Sequence, residues 1–271
     1  TDGGASWTAQ STDARERFAL SFSAAGIGLM GASGAVYRSL DMGGTWSIVH
    51  LGTPHSTLNK VSFADDQIGI TVGTNQAGDN SPAGMRSLDG GRHWAAASGG
   101  LGVHLRADGA GSVGGGIGAN GHTADYFATV QAGSSAAAPP VVIRCTQSFT
   151  STTYIVAGGN LNGGFYRTTN GGSSWTYSQA GNPYDMHFPT ETIGYAAGEG
   201  NNVYKTIDAG VTWTDLGPQV PSQQYTVFFL DELRGWTGGA GSGARTVDGG
   251  DTWTFMPRIP GYTKCVVFTD A

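Results

Sequence analysis

The sequence predicts an all-β, seven-bladed β-propeller spanning residues 1–271 as a single domain. Three observations lead there: an eight-residue motif recurring about every 40 residues, four short apolar segments around each copy, and a composition rich in turn formers.

The chain has 46 glycines and only four glutamates (Glu16, Glu191, Glu199, Glu232), a poor composition for helices and a good one for short strands joined by tight turns. Its net charge of −6 argues against nucleic acid, whose phosphates need a basic surface. No run of 18 apolar residues is present, so no segment reads as a membrane-spanning helix. Two cysteines, Cys145 and Cys265, are too few for a disulfide scaffold. The chain opens at Thr1 without methionine or leader, from which we expect a processed or longer natural protein.

The motif reads Ser/Thr, any residue, Asp, any, Gly, any, Ser/Thr, Trp. Its best copy is Ser39-Leu-Asp41-Met-Gly43-Gly-Thr45-Trp46. Others centre on Asp89 with Trp94, Asn170 with Trp175, Asp208 with Trp213 and Asp248 with Trp253, and the chain opens on a truncated copy with Asp2 and Trp7. Between Trp94 and Trp175 lies a decayed copy, Thr129-Val-Gln131-Ala-Gly133-Ser-Ser135-Ala136. With it, successive steps are 39, 48, 42, 39, 38 and 40 residues, which makes seven copies.

Repetition decides how the aspartates read. Seven equivalent copies cannot all face one substrate, so their Asp side chains are expected to lock turns by accepting backbone N–H groups. The glycine permits positive φ, the hydroxyls close the local network, and the Trp fills an apolar gap with its N–H finding a partner. Around Asp89 the segments 61–63, 68–73, 84–87 and 93–97 read as four antiparallel strands, the signature of a propeller blade. Residues 1–9 supply a motif and a fourth strand, and 264–270 a first strand. The sequence therefore predicts a ring closed by N- and C-terminal strands sharing one incomplete blade, with the missing strands before Thr1. Asp65, Asp66, Glu191, Asp231 and Glu232 fall in the turns between first and second strands and read as turn residues.

Each copy resembles the Asp-box, or bacterial neuraminidase repeat. Among families carrying it, sialidases need an arginine triad and a Phe/Tyr-Arg-Ile-Pro motif before the first box. Here Pro257-Arg258-Ile-Pro260 follows the last box and lacks the aromatic. Xyloglucan-cleaving glycosidases resemble two such propellers facing each other, and one propeller offers no facing partner. Sortilin-type receptors have ten blades and disulfide-rich modules. The segments 193–198 with 203–208, 234–239 with 244–248, and 164–170 are similar to blades of the photosystem II assembly and stability factor family. That resemblance implies a seven-bladed, non-enzymatic, protein-binding propeller, a subunit or assembly factor of a larger extracytoplasmic complex (secreted, periplasmic or lumenal), without cofactor or metal. A carbohydrate-binding or glycosidase-like secreted propeller is the alternative.

The same family is described as binding its client through an arginine-rich surface. A basic residue precedes the box in five copies: Arg38, Arg86, Arg167, Lys205 and Arg245. These alternate with the apolar box position, so an inter-blade structural role competes with client binding. Long loops offer a second candidate set, Asp79, Asn80, His122 and Asp125, for a partner or a sugar. His50 and His55 follow a box without a third ligand, which argues against zinc.

Overall fold

The computed structural model describes residues 15–51, 56–75, 82–97, 102–106, 108, 111–114, 120–123, 131–132, 139–159, 163–178, 181–218, 220, 222–256 and 262–268. These form six four-stranded antiparallel sheets. The first contains β1 (Arg17–Phe22), β2 (Gly28–Ala32), β3 (Ala35–Ser39) and β4 (Ser47–Leu51). The second contains β5 (Ser56–Phe63), β6 (Gly69–Asn75), β7 (Pro82–Ser87) and β8 (Ala95–Ala97). The third, around the decayed copy, contains β9 (Gly102–Leu105), β10 (Gly111–Gly114), β11 (Asn120–Thr123) and β12 (Gln131–Ala132). The fourth is β13 (Val142–Ser148), β14 (Tyr154–Gly159), β15 (Gly164–Thr168) and β16 (Thr176–Ser178). The fifth is β17 (Pro183–His187), β18 (Gly194–Gly198), β19 (Asn202–Thr206) and β20 (Thr214–Pro218), and the last is β21 (Gln224–Phe229), β22 (Gly235–Gly239), β23 (Gly243–Thr246) and β24 (Thr254–Phe255).

The four-stranded blade is as expected; the count of seven is not. Among the described residues six blades are complete, and residues 264–268 form no strand. That segment runs between β21 and β1: Val266 N–H donates to Thr226 Oγ1 (3.3 Å) and Cys265 Sγ lies 3.5 Å from Leu20 O. It closes the ring without a ladder, because no described second strand lies beside it. The expected N-terminal partner, with Asp2 and Trp7, lies outside the described residues.

Small residues explain the packing between blades. The second strands β2, β14, β18 and β22 are buried along their whole length and are built mainly of Gly, Ala and other compact residues, which lets adjacent blades approach closely. Aromatic rings fill the gaps that remain. Trp213 stacks on Phe165 of the preceding blade at 3.9 Å, and Tyr195 stacks on Phe229 of the following one.

The recurrent turns behave as locks. Asp41 Oδ1 accepts Thr45 N–H (2.8 Å), Oδ2 accepts Thr45 Oγ1–H (2.7 Å), and Ser39 Oγ accepts Gly43 N–H (2.8 Å). The same bonds recur at Asp208 and Asp248, and Asn170 reproduces them with its amide. These hydrogen bonds, led by the Thr45 hydroxyl at Asp41 and the Thr252 hydroxyl at Asp248, hold both carboxyls down at about 2. The indole expectation holds only in part. Trp46 and Trp94 donate to Gly43 O and Gly91 O, whereas the Nε1 atoms of Trp175, Trp213 and Trp253 are buried without a partner. Ring contacts with Tyr154, Phe165 and Phe229 orient those three indoles instead.

Two successive residues of each turn have positive φ, and the first is Met42, Gly90, Gly171, Ala209 or Gly249. A non-glycine there is strained by about 1–2 kcal/mol, partly offset by the entropy that glycine loses. Ala209→Gly (φ 57°) is therefore expected to stabilise the fold by about 0.5 kcal/mol in urea titrations.

Candidate binding site at the channel mouth

The six first strands face the central channel, and five share an irregularity. In β1, β5, β13, β17 and β21 the register with the second strand slips by one residue near the start. The skipped residues are Phe18, Asn59, Arg144, Tyr184 and Tyr225. A bulge leaves its extra residue outside the ladder and re-aims it. All five line one cavity of about 670 Å³, joined there by Tyr262 and Lys264 of the closing segment. Five bulges converging on one mouth are the strongest functional feature of the fold.

Glycines make the bulges possible. Gly73, Gly158, Gly198 and Gly239 each pair with the residue just before a bulge. A methyl group on Gly158 would lie 1.9 Å from Val142 O, and one on Gly239 would lie 2.0 Å from Gln223 O. Gly158→Ala is thus expected to cost about 1–3 kcal/mol by overpacking, read as a lowered denaturation midpoint.

The mouth is aromatic and rich in hydrogen-bond donors. Tyr184 and Tyr225 meet edge to face at 5.3 Å, and Tyr225 and Tyr262 at 6.0 Å, forming a continuous arc. The Arg144 guanidinium lies 4.3 Å over Tyr184, and its Nη1 is buried without a hydrogen-bond partner. Lys264 Nζ lies 4.1 Å over Phe18 and 3.8 Å from Glu16. Glu199 accepts Asn182 Nδ2–H (2.7 Å) and Tyr184 Oη–H (3.0 Å), with Arg144 Nη1 at 3.8 Å. Those bonds, Asn182 first, lower its pKa.

The floor is an ion pair that spans the channel. Lys60 of the second blade meets Asp185 of the fifth at 2.5 Å, with side chains 25% and 15% exposed. Asp185 Oδ2 also accepts Thr226 Oγ1–H and Val227 N–H. Burial works against the Lys60 charge, but Asp185 outweighs it and raises the lysine pKa. Cys145 and Cys265, both free thiols, line the channel with this pair; burial raises both, Cys265 to about 11, so they stay protonated at neutral pH. Deeper still, Nδ1 of His104 accepts Ser148 N–H and Nδ1 of His187 accepts Phe229 N–H, each 3.2 Å and each from the next blade. Ser21 Oγ accepts Phe63 N–H in the same manner. Side chains of one blade thus satisfy the inner edge of its neighbour.

The basic residues singled out in the sequence lie elsewhere. Arg38 Nε donates to Gly90 O (2.5 Å), Arg167 Nε to Ala209 O (3.1 Å) and Lys205 Nζ to Gly249 O (2.9 Å). Each acceptor is the positive-φ residue in the next blade's turn, so these cations latch neighbouring blades. Arg86 and Arg245 hold the same place on β7 and β23, opposite Ile70 and Trp236. None of the five lines the mouth cavity. The backbone of His122 lies in β11 opposite Ser112; Asp79, Asn80 and Asp125 lie outside the described residues. The turn acids sit as expected: Asp65 Oδ1 accepts Gln67 and Ile68 N–H, and Asp231 Oδ1 accepts Leu233 and Arg234 N–H. The mouth residues were missed, although a signal existed. Counting four back from Phe22, Phe63, Phe188, Phe229 and Phe268 reaches Phe18, Asn59, Tyr184, Tyr225 and Lys264.

No protein-family model matches this chain, and no curated protein does. Solved structures do. YCF48 from Cyanidioschyzon merolae is 20% identical over 91% of this chain and 87% of its own, with a TM-score of 0.66. A structure of YCF48 bound to D1 peptide is 20% identical over 91% and 84%, with a TM-score of 0.68. The GH74 xyloglucanase from Xanthomonas campestris is 17% identical over 89% of this chain and 45% of its own, with a TM-score of 0.68. The shared feature is the β-propeller fold. At these identities the likeness reaches no further.

Proposed function

We propose that this chain is a non-enzymatic propeller that binds a polypeptide segment of a partner protein at the channel mouth. The observation behind this reading is the set of five bulged residues, Phe18, Asn59, Arg144, Tyr184 and Tyr225, aimed into one cavity. Tyrosine and arginine at the centre of a concave surface are the residues that dominate protein interfaces. The carboxylates around it are occupied: Asp185 by Lys60, Glu199 by Asn182 and Tyr184, and Glu16 faces Lys264. That favours binding over general acid–base chemistry. The fold-level likeness to a YCF48 structure holding D1 peptide supports the same direction. The resemblance to Asp-box assembly factors extends the proposal to a scaffold or assembly role in an extracytoplasmic complex.

Panning a random dodecapeptide library against the protein, with counter-selection on an Arg144→Ala/Tyr225→Ala variant, tests the reading. A consensus bound by the wild type and lost on the variant is expected. A blank selection alongside a positive glycan array would replace it with a carbohydrate-binding propeller.

A further inference from the structure

We infer that the segment received at this mouth is extended and proline-bearing; this rests on the polypeptide reading above. The first argument is hydrogen-bond complementarity. The lining offers Arg144, Lys264, the Tyr225 and Tyr262 hydroxyls and the Asn59 amide as donors, and Nη1 of Arg144 is buried without a hydrogen-bond partner, its nearest carboxylate oxygen lying 3.8 Å away on Glu199. Among the described residues Glu16 is the one carboxylate lining the cavity and it already faces Lys264, so the mouth holds fewer acceptors for a peptide's N–H groups than donors for its carbonyls. Proline has no N–H and keeps its carbonyl acceptor. A prolyl segment therefore brings carbonyl acceptors to these donors and no N–H of its own.

The second argument is shape. Edge-to-face contacts at 72° between Tyr184 and Tyr225, and 60° between Tyr225 and Tyr262, turn successive ring faces at steep angles to one another along the cavity wall. Aromatic-lined slots with one inward donor are the means by which polyproline II segments are held, at low entropic cost to the ligand. The ring orientations are held in place, since Tyr184 Oη bonds both Glu199 and Gln223 Nε2. The third argument removes the rival peptide mode, strand addition. Inner-edge N–H groups of Phe63, Ser148, Val227, Phe229 and Val266 already bond Ser21, His104, Asp185, His187 and Thr226. Those positions are unavailable to an added strand.

Fluorescence polarisation with labelled hexaproline against a labelled (Gly-Ser)3 peptide tests the inference. Hexaproline is expected to bind at least tenfold tighter. Tyr262→Ala, at a ring 69% exposed and so harmless to folding, is expected to weaken it at least fivefold, and Arg144→Lys to weaken it comparably. Equal affinity for the two peptides, or hexaproline binding indifferent to Tyr262→Ala, overturns the inference. A library consensus that needs Tyr225 yet contains no proline overturns it too, while leaving the polypeptide reading intact. A blank library selection removes both.

Discussion

Asp185→Ala is expected to destabilise the protein by about 2–4 kcal/mol, a little under the usual cost of orphaning a buried charge because both side chains keep some solvent contact. The substitution leaves Lys60 without its counter-ion in the channel and strips acceptors from Thr226 Oγ1 and Val227 N–H. In a chain of this size the midpoint should fall by roughly 5–10 °C. Asp185→Asn should cost less, because its amide oxygen still accepts Val227 N–H. Lys60→Met combined with Asp185→Asn should recover part of the loss by removing the stranded cation. The raised lysine pKa sets the pH window: the pair's contribution is complete below the ordinary 10.5 and fades only as pH climbs through the higher folded value. Thermal unfolding of the variants at pH 7 and pH 9 checks this; a loss under 0.5 kcal/mol for Asp185→Ala contradicts the bridge.

A second large effect belongs to acid. Burial lowers His104 from 6.5 to about 4, with His187 and Arg106 adding to it; burial likewise lowers His187 to about 4 against the pull of Asp185. Between those values the unfolded chain binds more protons than the folded one, so stability falls as pH drops from 6.5 toward 4 and levels off below. Each histidine should account for about 3 kcal/mol at full effect. Geometry works in the same direction as burial, since protonation turns the Nδ1 acceptors of Ser148 and Phe229 N–H into donors. The turn carboxylates Asp41 and Asp248 act later, losing their contribution only between 3.8 and about 2. Urea midpoints measured from pH 7.5 to 4.5 should decline for the wild type and stay nearly flat for His104→Asn/His187→Asn, whose amide oxygens still accept the two N–H groups. Parallel curves for both proteins contradict the assignment.

What the sequence made legible, and what it hid, follows from periodicity. The turn motif repeats every 38–48 residues, so the blades and the locking role of Asp41, Asp89, Asn170, Asp208 and Asp248 were readable. The number of blades was not, because one first-strand pattern at 264–268 looks identical whether or not a ladder forms beside it. The latches at Arg38, Arg167 and Lys205 were half visible as cations before each turn, but their acceptors lie 42–52 residues away in the next blade. The mouth was obscured for a different reason. A bulge inserts one residue and shifts the alternation, so Arg144, Tyr184 and Tyr225 fall outside a period-two reading of their strands. Lys60 and Asp185 stand 125 residues apart, and only ring closure brings them together.

Hydrogen–deuterium exchange of the protein with and without a library-selected peptide tests where binding occurs. Protection should concentrate in residues 182–185, 223–226 and 262–265, around the tyrosine arc. Protection confined to the turn face, near Arg38, Arg167 and Lys205, would contradict binding at the mouth and return the site to the inter-blade cations.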